Sequence, residues 1–370
     1  MEQSGDRFRT RPHPNAGPGL NVAAITPDVP VEDASRKPLV TVSRSAGLLN
    51  GIVLVALVGL LSLRFGSHPV STRDAWNALF NYDTTNYEQL VVRTMRVPRT
   101  VIAIGVGGAL AVTGAVMQAI TRNPLADTSI LGVAPGASFA IVTAIFYFGI
   151  TSALGFVWFA FAGALFASIL VFMVGASGKD GPTPLTLTLA GVVISALLGS
   201  WTSALILLDE QTMDTARFWL AGSVAGRPLE VFWWVSPFLI LGTAGCLLMG
   251  HQLNVMSMGD ETARALGMNT VRTRLICAVL VVLITGAATA AAGPIGFVGL
   301  AVPHMIRGVI GADYRWILAY SVLVGAIFLT TADILGRVVL ETGELQVGIV
   351  TSVVGAPFLI FLARRVKVGL

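Results

Sequence analysis

The feature that most constrains the fold is a stretch of 51 residues without a charge, from Thr128 to Gly178. At the rise of an α-helix, about 1.5 Å per residue, this stretch would be about 76 Å long. A hydrocarbon core is only about 30 Å thick, so the stretch must cross a membrane twice. Apolar residues make up 54% of the chain and charged residues 12%, which excludes a soluble globular domain. The sequence therefore predicts an all-α integral membrane protein.

Uninterrupted apolar runs predict about ten transmembrane helices. Gly293 and Pro294 divide one long run, because proline breaks a helix, and the span after them is expected to be short or re-entrant. Together the spans form a predicted membrane domain over residues 46–366. The predicted spans are residues 46–64, 100–120, 128–148, 153–175, 184–208, 231–250, 275–292, 294–310, 316–335 and 345–363.

The distribution of Lys and Arg predicts the orientation. With the N-terminus inside, 16 of these residues fall on the inner side and 8 on the outer side. The positive-inside rule then places both termini on the cytoplasmic side. We expect the membrane to be a bacterial cell membrane. Residues 1–45 contain six prolines and no apolar periodicity, so we expect a disordered cytoplasmic tail.

The largest polar loop between spans is residues 251–274, predicted to be cytoplasmic. Within it, residues 257–267 predict a short helix, with Asp260 and Glu261 in its first turn and Gly267 as its C-terminal stop. Its apolar face would consist of Ala263, Leu266 and Met268. The pattern leaves two interpretations open: an ordinary surface helix, or a docking element for a cytoplasmic partner.

Three arginines between Arg93 and Arg99 are predicted on the outer side, at the start of the 100–120 span. Asp333 and Arg337 are four residues apart, which predicts a local ion pair at a helix end. Together with Arg96 and Arg99, however, Arg337 could form a cationic outer rim that binds an acidic partner. Both interpretations stay open at the level of sequence.

The remaining polar residues do not predict a metal or catalytic site. Cys246 and Cys277 lie in apolar runs and are expected to be small buried hydrophobes. We expect His304 to be a hydrogen-bonded interfacial residue rather than a metal ligand. The sequence contains no phosphate-binding loop and few acids within its spans. A pore with neither an ATPase motif nor clear ion-coupling residues would have to be driven by another protein.

Several motifs follow one another in a specific order. They are Arg96-Val-Pro-Arg99, Gly114-Ala-Val-Met-Gln118, Arg122-Asn123-Pro124-Leu-Ala-Asp127, Gly259-Asp260-Glu261, Gly293-Pro294-Ile-Gly-Phe-Val-Gly-Leu300, Pro303-His304, Asp333 to Arg337, and Gly355-Ala-Pro357. This set resembles the permease subunits of ABC importers for iron–siderophores, haem and vitamin B12 (FecCD-type, type II importers). The resemblance covers residues 46–366.

The resemblance implies a role for each of these regions. Arg96, Arg99 and Arg337 would bind acidic residues of an extracytoplasmic substrate-binding protein. Two cytoplasmic ATPases, which would carry ATP and Mg²⁺, would receive the helix formed by Gly259, Asp260, Glu261, Ala263, Leu266 and Gly267. A second permease would complete the pathway, lined largely by the fifth span. The pathway and gate residues would be Thr183, Thr186, Ala190, Gly191 and Ser195, with the cytoplasmic gate near Thr183 and Thr186. The subunit itself would be no enzyme and would bind no cofactor.

Two positions depart from the family pattern. Thr128 and Gln346 stand where proline is usual. Losing the second proline would reshape the outer mouth near Arg337.

We therefore expect a permease that translocates a ferric siderophore or a similar iron chelate into the cytoplasm. Vitamin B12 and haem are the alternative cargoes within the same family. The alternative from another class is an ion-coupled secondary transporter, for which Asp333 is nearly the only candidate coupling residue.

Overall fold

The computed structural model describes residues 44–66, 70–177, 183–340 and 343–365, and all regular secondary structure within them is helical. The tail predicted to be disordered lies outside these residues, apart from Arg44 and Ser45. A five-residue π-helix, Val92–Arg96, joins α3 to α4, and a 3₁₀ turn, Thr128–Leu131, precedes α5. The α-helices are α1 (Arg44–Arg64), α2 (Thr72–Phe80), α3 (Tyr87–Val91), α4 (Val97–Thr121), α5 (Val133–Phe148), α6 (Ala153–Ala176), α7 (Pro184–Leu208), α8 (Glu210–Leu220), α9 (Leu229–Leu248), α10 (Gly250–Ser257), α11 (Asp260–Ala265), α12 (Thr270–Ala292), α13 (Val298–Ile310), α14 (Tyr314–Val338) and α15 (Val347–Arg365).

Each of the ten predicted spans overlaps one of the apolar helices. Among the described residues, seven helical segments are long and apolar enough to cross a membrane, and α3 to α4 form one of them, Tyr87–Thr121. The helices α5, α13 and α15 are the shorter members of the set. The helix after Gly293-Pro294, α13, is short, as the sequence predicted.

The predicted start of the third span is wrong by five residues. Asp127 caps the 3₁₀ turn through its side chain, and Gly132 then takes a left-handed conformation with φ of 67° before α5 begins. Because glycine adopts positive φ without strain, the chain can change direction here. The polar turn after α4 therefore continues to Leu131, which shortens α5.

The helix α4 is the centre of the bundle and packs against α14, α12, α13 and α9. Glycines allow the closest of these contacts. A methyl group at Gly114 would overlap the backbone carbonyl of Gly299 on α13, and one at Gly107 would overlap the carbonyl of Gly325 on α14. Helix association in lipid depends on such close packing of small residues, because the bilayer supplies no hydrophobic drive between helices.

The bundle has two polar ends, which α4 connects. The Arg99 end contains Arg96, Arg99, Asp333 and Arg337. The Asp260 end contains the C-terminus of α4 and the residues that surround Asp260.

Candidate functional site

The Arg99 end is organised around one buried carboxylate. Asp333, whose side chain is 1% exposed, lies 2.8 Å from Arg99 Nη2 and 2.9 Å from Arg337 Nη2. The predicted ion pair between Asp333 and Arg337 is thus confirmed. Arg99 also donates to the Glu344 carboxylate. Two carboxylates on neighbouring segments therefore compensate charges that would otherwise be costly to bury.

The other donors of this cluster bind the C-terminus of α1. Arg96 Nη1 donates to the Leu63 and Arg64 carbonyls at 2.8 and 2.7 Å. Arg337 Nη1 donates to the Ser62 carbonyl at 2.9 Å, and its Nη2 donates to the Ser62 hydroxyl. The last carbonyls of a helix have no partner within the helix and carry partial negative charge, so the two guanidinium groups stabilise this helix end.

The structure does not place the three predicted docking arginines on an exposed rim. Arg96, Arg99 and Arg337 are 5%, 7% and 3% exposed, because their donors are used within the chain. Arg93, one turn before Arg96, is exposed instead and lies over the Tyr82 ring at 4.5 Å. Sequence reasoning missed this difference, since charge alone does not reveal which arginine has a partner across the bundle.

At the opposite end, Asp260 joins three segments. Arg274 Nη2 at the start of α12 donates to both Asp260 oxygens at 2.8 Å. Arg122 Nη2, just after α4, lies 3.4 Å from Asp260 Oδ1. Arg122 has a left-handed backbone with φ of 52°, which ends α4. The short helix α11 is therefore attached both to the central helix and to α12.

The predicted short helix is present as α11, with Asp260 and Glu261 in its first turn. Gly267 has a φ of 80°, in agreement with its predicted role as the stop. The predicted apolar face is wrong at Leu266, which is 65% exposed, whereas Ala263 is fully buried. Leu266 and Glu261 are therefore exposed on the surface of the loop that begins with Gly259, where a partner could reach them.

Gln118 connects the centre of the bundle with the Asp260 end. Its amide nitrogen donates to the Gly299 and Leu300 carbonyls at 3.3 Å, and its oxygen accepts a hydrogen bond from Arg307. Asn123 accepts the Leu125 N–H at 2.9 Å and so closes the turn that contains the exposed Pro124.

The Gly293-Pro294 break packs against the loop after α8. Gly293 has a φ of 73°, and a methyl group there would overlap the Trp219 carbonyl, so the break requires glycine on both grounds. Pro303 is buried within α13. The His304 ring lies 5.8 Å from the Phe358 ring. Within the described residues, no group of three or more His, Cys, Asp or Glu could hold a metal ion.

None of the predicted pathway and gate residues lies on the exposed face of α7. Thr183 and Thr186 form a reciprocal capping box at its N-terminus. Ala190 and Gly191 are buried, and a methyl group at Gly191 would overlap the Ile130 carbonyl. The Ser195 hydroxyl is buried without a hydrogen-bond partner in the described structure. The exposed face of α7 consists instead of Leu185, Leu189, Val192, Val193, Leu197 and Trp201.

The roles of Arg122 and Arg274 also escaped sequence reasoning. Counting spans places both arginines and Asp260 at the same membrane face. Opposite charges at one face could therefore have predicted ion pairs there. Spans alone could not reveal which of the basic residues there contacts Asp260.

A bundle of apolar helices with compensated polar clusters at both ends defines a multi-pass membrane protein. Comparison with known proteins specifies the class. The chain belongs to the FecCD transport family, whose model matches residues 54–365.

Two curated relatives and one solved structure illustrate this membership. The ferric enterobactin transport system permease protein FepD of Escherichia coli is 42% identical over 88% of this chain and 97% of its own length. The Fe(3+)-citrate import system permease protein YfmD of Bacillus subtilis is 40% identical over 85% of this chain and 93% of its own. A metal-chelate type ABC transporter in an inward-facing conformation matches 87% of this chain and all of its own, with a TM-score of 0.77 and 28% identity.

Proposed function

We propose that the chain is the permease of an ATP-driven importer that moves a ferric siderophore or a similar iron chelate into the cytoplasm. Membership of the FecCD family, with relatives named for Fe(3+)-citrate and ferric enterobactin, carries this proposal. The Asp260 end then faces the cytoplasm, as do both termini, in agreement with the excess of Lys and Arg predicted there.

The cytoplasmic partners would be two ABC ATPases, which bind ATP and Mg²⁺ and contact α11. The attachment of Asp260 to Arg274 and Arg122 supports this, because a movement of α11 would reach α12 and the central helix α4. The change Asp260→Asn should reduce uptake in the complete transporter more than it reduces ATPase binding. Asp214→Asn is the matched control, since Asp214 is an exposed acid on α8, away from α11, and the change should alter neither uptake nor ATPase binding.

The outer partner would be a substrate-binding protein that docks at the Arg99 end. Because Arg96, Arg99 and Arg337 are buried, we assign them to the frame of the docking surface and assign the contact itself to exposed cations such as Arg93. Arg93→Glu should weaken docking strongly at low salt and less at high salt, because salt screens exposed charges. Arg272→Glu, an exposed change at the opposite end, should leave docking unaltered.

The alternative of an ion-coupled secondary transporter has little support. Its candidate coupling residue, Asp333, is already bonded to Arg99 and Arg337. A carboxylate held by two guanidinium groups is poorly placed to take up and release a coupling ion.

Uptake of ⁵⁵Fe-labelled chelate into proteoliposomes tests the whole proposal. The complete transporter should import ferric citrate or a ferric siderophore only with ATP, and an ionophore should not stop it. Vitamin B12 or haem that competes fully with the iron chelate would reassign the cargo. Uptake that ignores ATP and collapses with an ionophore would contradict the proposal.

A further inference from the structure

A cavity of about 410 Å³ opens at the Arg99 end, and no role has yet been assigned to it. It lies between α8, the loop 221–228 and the segment before α15. Its walls combine aromatic rings with polar side chains. They include Phe156, Phe218, Trp219, Ser223, Arg227 and Gln346. This size and this mixture of apolar walls with a few polar groups are typical of sites that bind small molecules.

The cavity contains a cation that none of the described residues neutralises. Within the described residues, the hydrogen bond of the Arg227 side chain is a 3.4 Å contact from Nε to the Ser223 carbonyl, and Arg227 makes no ion pair. Burial lowers the pKa of Arg227 to about 10, so the side chain stays charged at neutral pH. The carboxylate in the same wall, Glu344, is already bonded to Arg99.

Two further polar side chains, Trp219 and Gln346, line the cavity beside Arg227. The Trp219 indole N–H is buried and has no acceptor in the described structure. Trp219 itself is 2% exposed. Gln346 also lines the cavity, and its side-chain amide can donate or accept a hydrogen bond there. An uncompensated charge in a small cavity favours an anionic ligand, to which the Gln346 amide can donate a hydrogen bond.

We propose that this cavity is a subsite for the anionic oxygens of a carboxylate-bearing ferric chelate, with Arg227 as its principal binding residue. The inference rests on the proposed function, because it assumes that the cargo is an iron chelate. Arg227 would pair with a carboxylate of the chelate, and Gln346 would hydrogen-bond to it. The aromatic walls would exclude water and strengthen that pairing.

Binding of ⁵⁵Fe-labelled ferric citrate to the full-length permease in nanodiscs tests the subsite directly. Arg227→Met should weaken binding by at least about tenfold, as expected for the loss of one charged hydrogen bond. Arg227→Lys should retain part of the affinity. The matched control is Arg217→Met, because Arg217 lies on the neighbouring α8 but is exposed and paired with Asp214. A monodisperse size-exclusion profile checks that each variant is folded.

Two parallel measurements separate the possible occupants. Arg227→Met should change the affinity for a neutral ferric trihydroxamate far less than that for ferric citrate. It should also leave docking of the cargo-free binding protein unchanged. Equal loss for both chelates, a loss of docking alone, unaltered ferric-citrate binding, or no binding to the unmodified permease would each overturn the subsite. Binding that depends on Arg227 without ATP-driven uptake would uphold the subsite and contradict the proposed function.

Discussion

Single charged residues determine how the polar ends of this bundle are built. Asp333 is almost fully buried and forms ion pairs with two guanidinium groups, those of Arg99 and Arg337. Arg337 in turn donates a hydrogen bond to the end of α1. These groups form one network, so the removal of a member leaves the others buried without a partner. We therefore expect the cost of a substitution to depend on burial rather than on charge alone.

The change Asp333→Ala tests this dependence. It should lower the free energy of unfolding by about 3–5 kcal/mol, because it leaves Arg99 and Arg337 buried and uncompensated. Thermal and denaturant unfolding in detergent measure the effect. Asp214→Ala is the control, because Asp214 is 55% exposed and pairs with an exposed Arg217. Its loss should be only about 0–1 kcal/mol. Similar losses for the two variants would show that the buried network adds no stability.

Asp313 gives a prediction about pH. A hydrogen bond from Arg315, with help from Asn254, lowers the pKa of Asp313 from 3.8 to about 2. A lowered pKa in the folded state means that the stabilisation is present above the ordinary pKa and is lost as the pH falls towards the lower value. Between pH 4 and pH 2, the unfolding temperature of the unmodified protein should therefore fall more steeply than that of Asp313→Asn. Parallel curves would contradict the assignment.

At the scale of the helix, glycine decides how closely α4 approaches its neighbours. Gly114 and Gly299 face each other, so that the backbones of α4 and α13 are in contact. The same short helix carries Gly308, around which there is open space. The two kinds of glycine cannot be distinguished by residue type, although only one of them determines a helix distance.

The change Gly114→Ala should destabilise the bundle by about 1–3 kcal/mol, because the added methyl group forces α4 and α13 apart. It should also disturb the hydrogen bonds from Gln118 to the Gly299 and Leu300 carbonyls. Thermal unfolding in detergent measures the loss. Gly308→Ala on α13 should leave the unfolding temperature unchanged or raise it, since nothing lies within 4 Å of the added atom. Equal effects would show that the close approach is unimportant.

The elements also show how far sequence reasoning reaches. Hydropathy predicted each apolar helix, because a segment that crosses lipid must be rich in apolar residues, and this is visible in the sequence of the segment itself. The rules for helix ends placed Asp260 correctly in the first turn of α11 and Gly267 just beyond its end. It could not predict that Arg96, Arg99 and Arg337 are buried, since their partners lie on helices distant in sequence. It also assigned Ala190 and Gly191 to the pathway, because it gave no information on which face of α7 packs inward.

At the scale of the whole molecule, α7 offers one long apolar face to another subunit. It packs against α5, α6 and α8, and the opposite face exposes large apolar side chains. Lipid can cover such a face, so its exposure alone does not require a protein partner. The resemblance implies a second permease, and the exposed face of α7 is where we expect that permease to bind.

Cysteine cross-linking distinguishes lipid from a second permease. Leu197, which is 60% exposed on α7, should form a disulfide-linked dimer as Leu197→Cys in the complete transporter, because a two-fold axis brings equivalent residues together. Leu241→Cys on α9 is the control, since that residue is 69% exposed and α9 does not pack against α7. Non-reducing electrophoresis of oxidised membranes gives the result. A linked product of twice the chain mass indicates two copies, and co-expression with a related permease that carries cysteine at the equivalent position tests for a mixed pair. Cross-linking at Leu241 alone, or at neither position, would assign the α7 face to lipid.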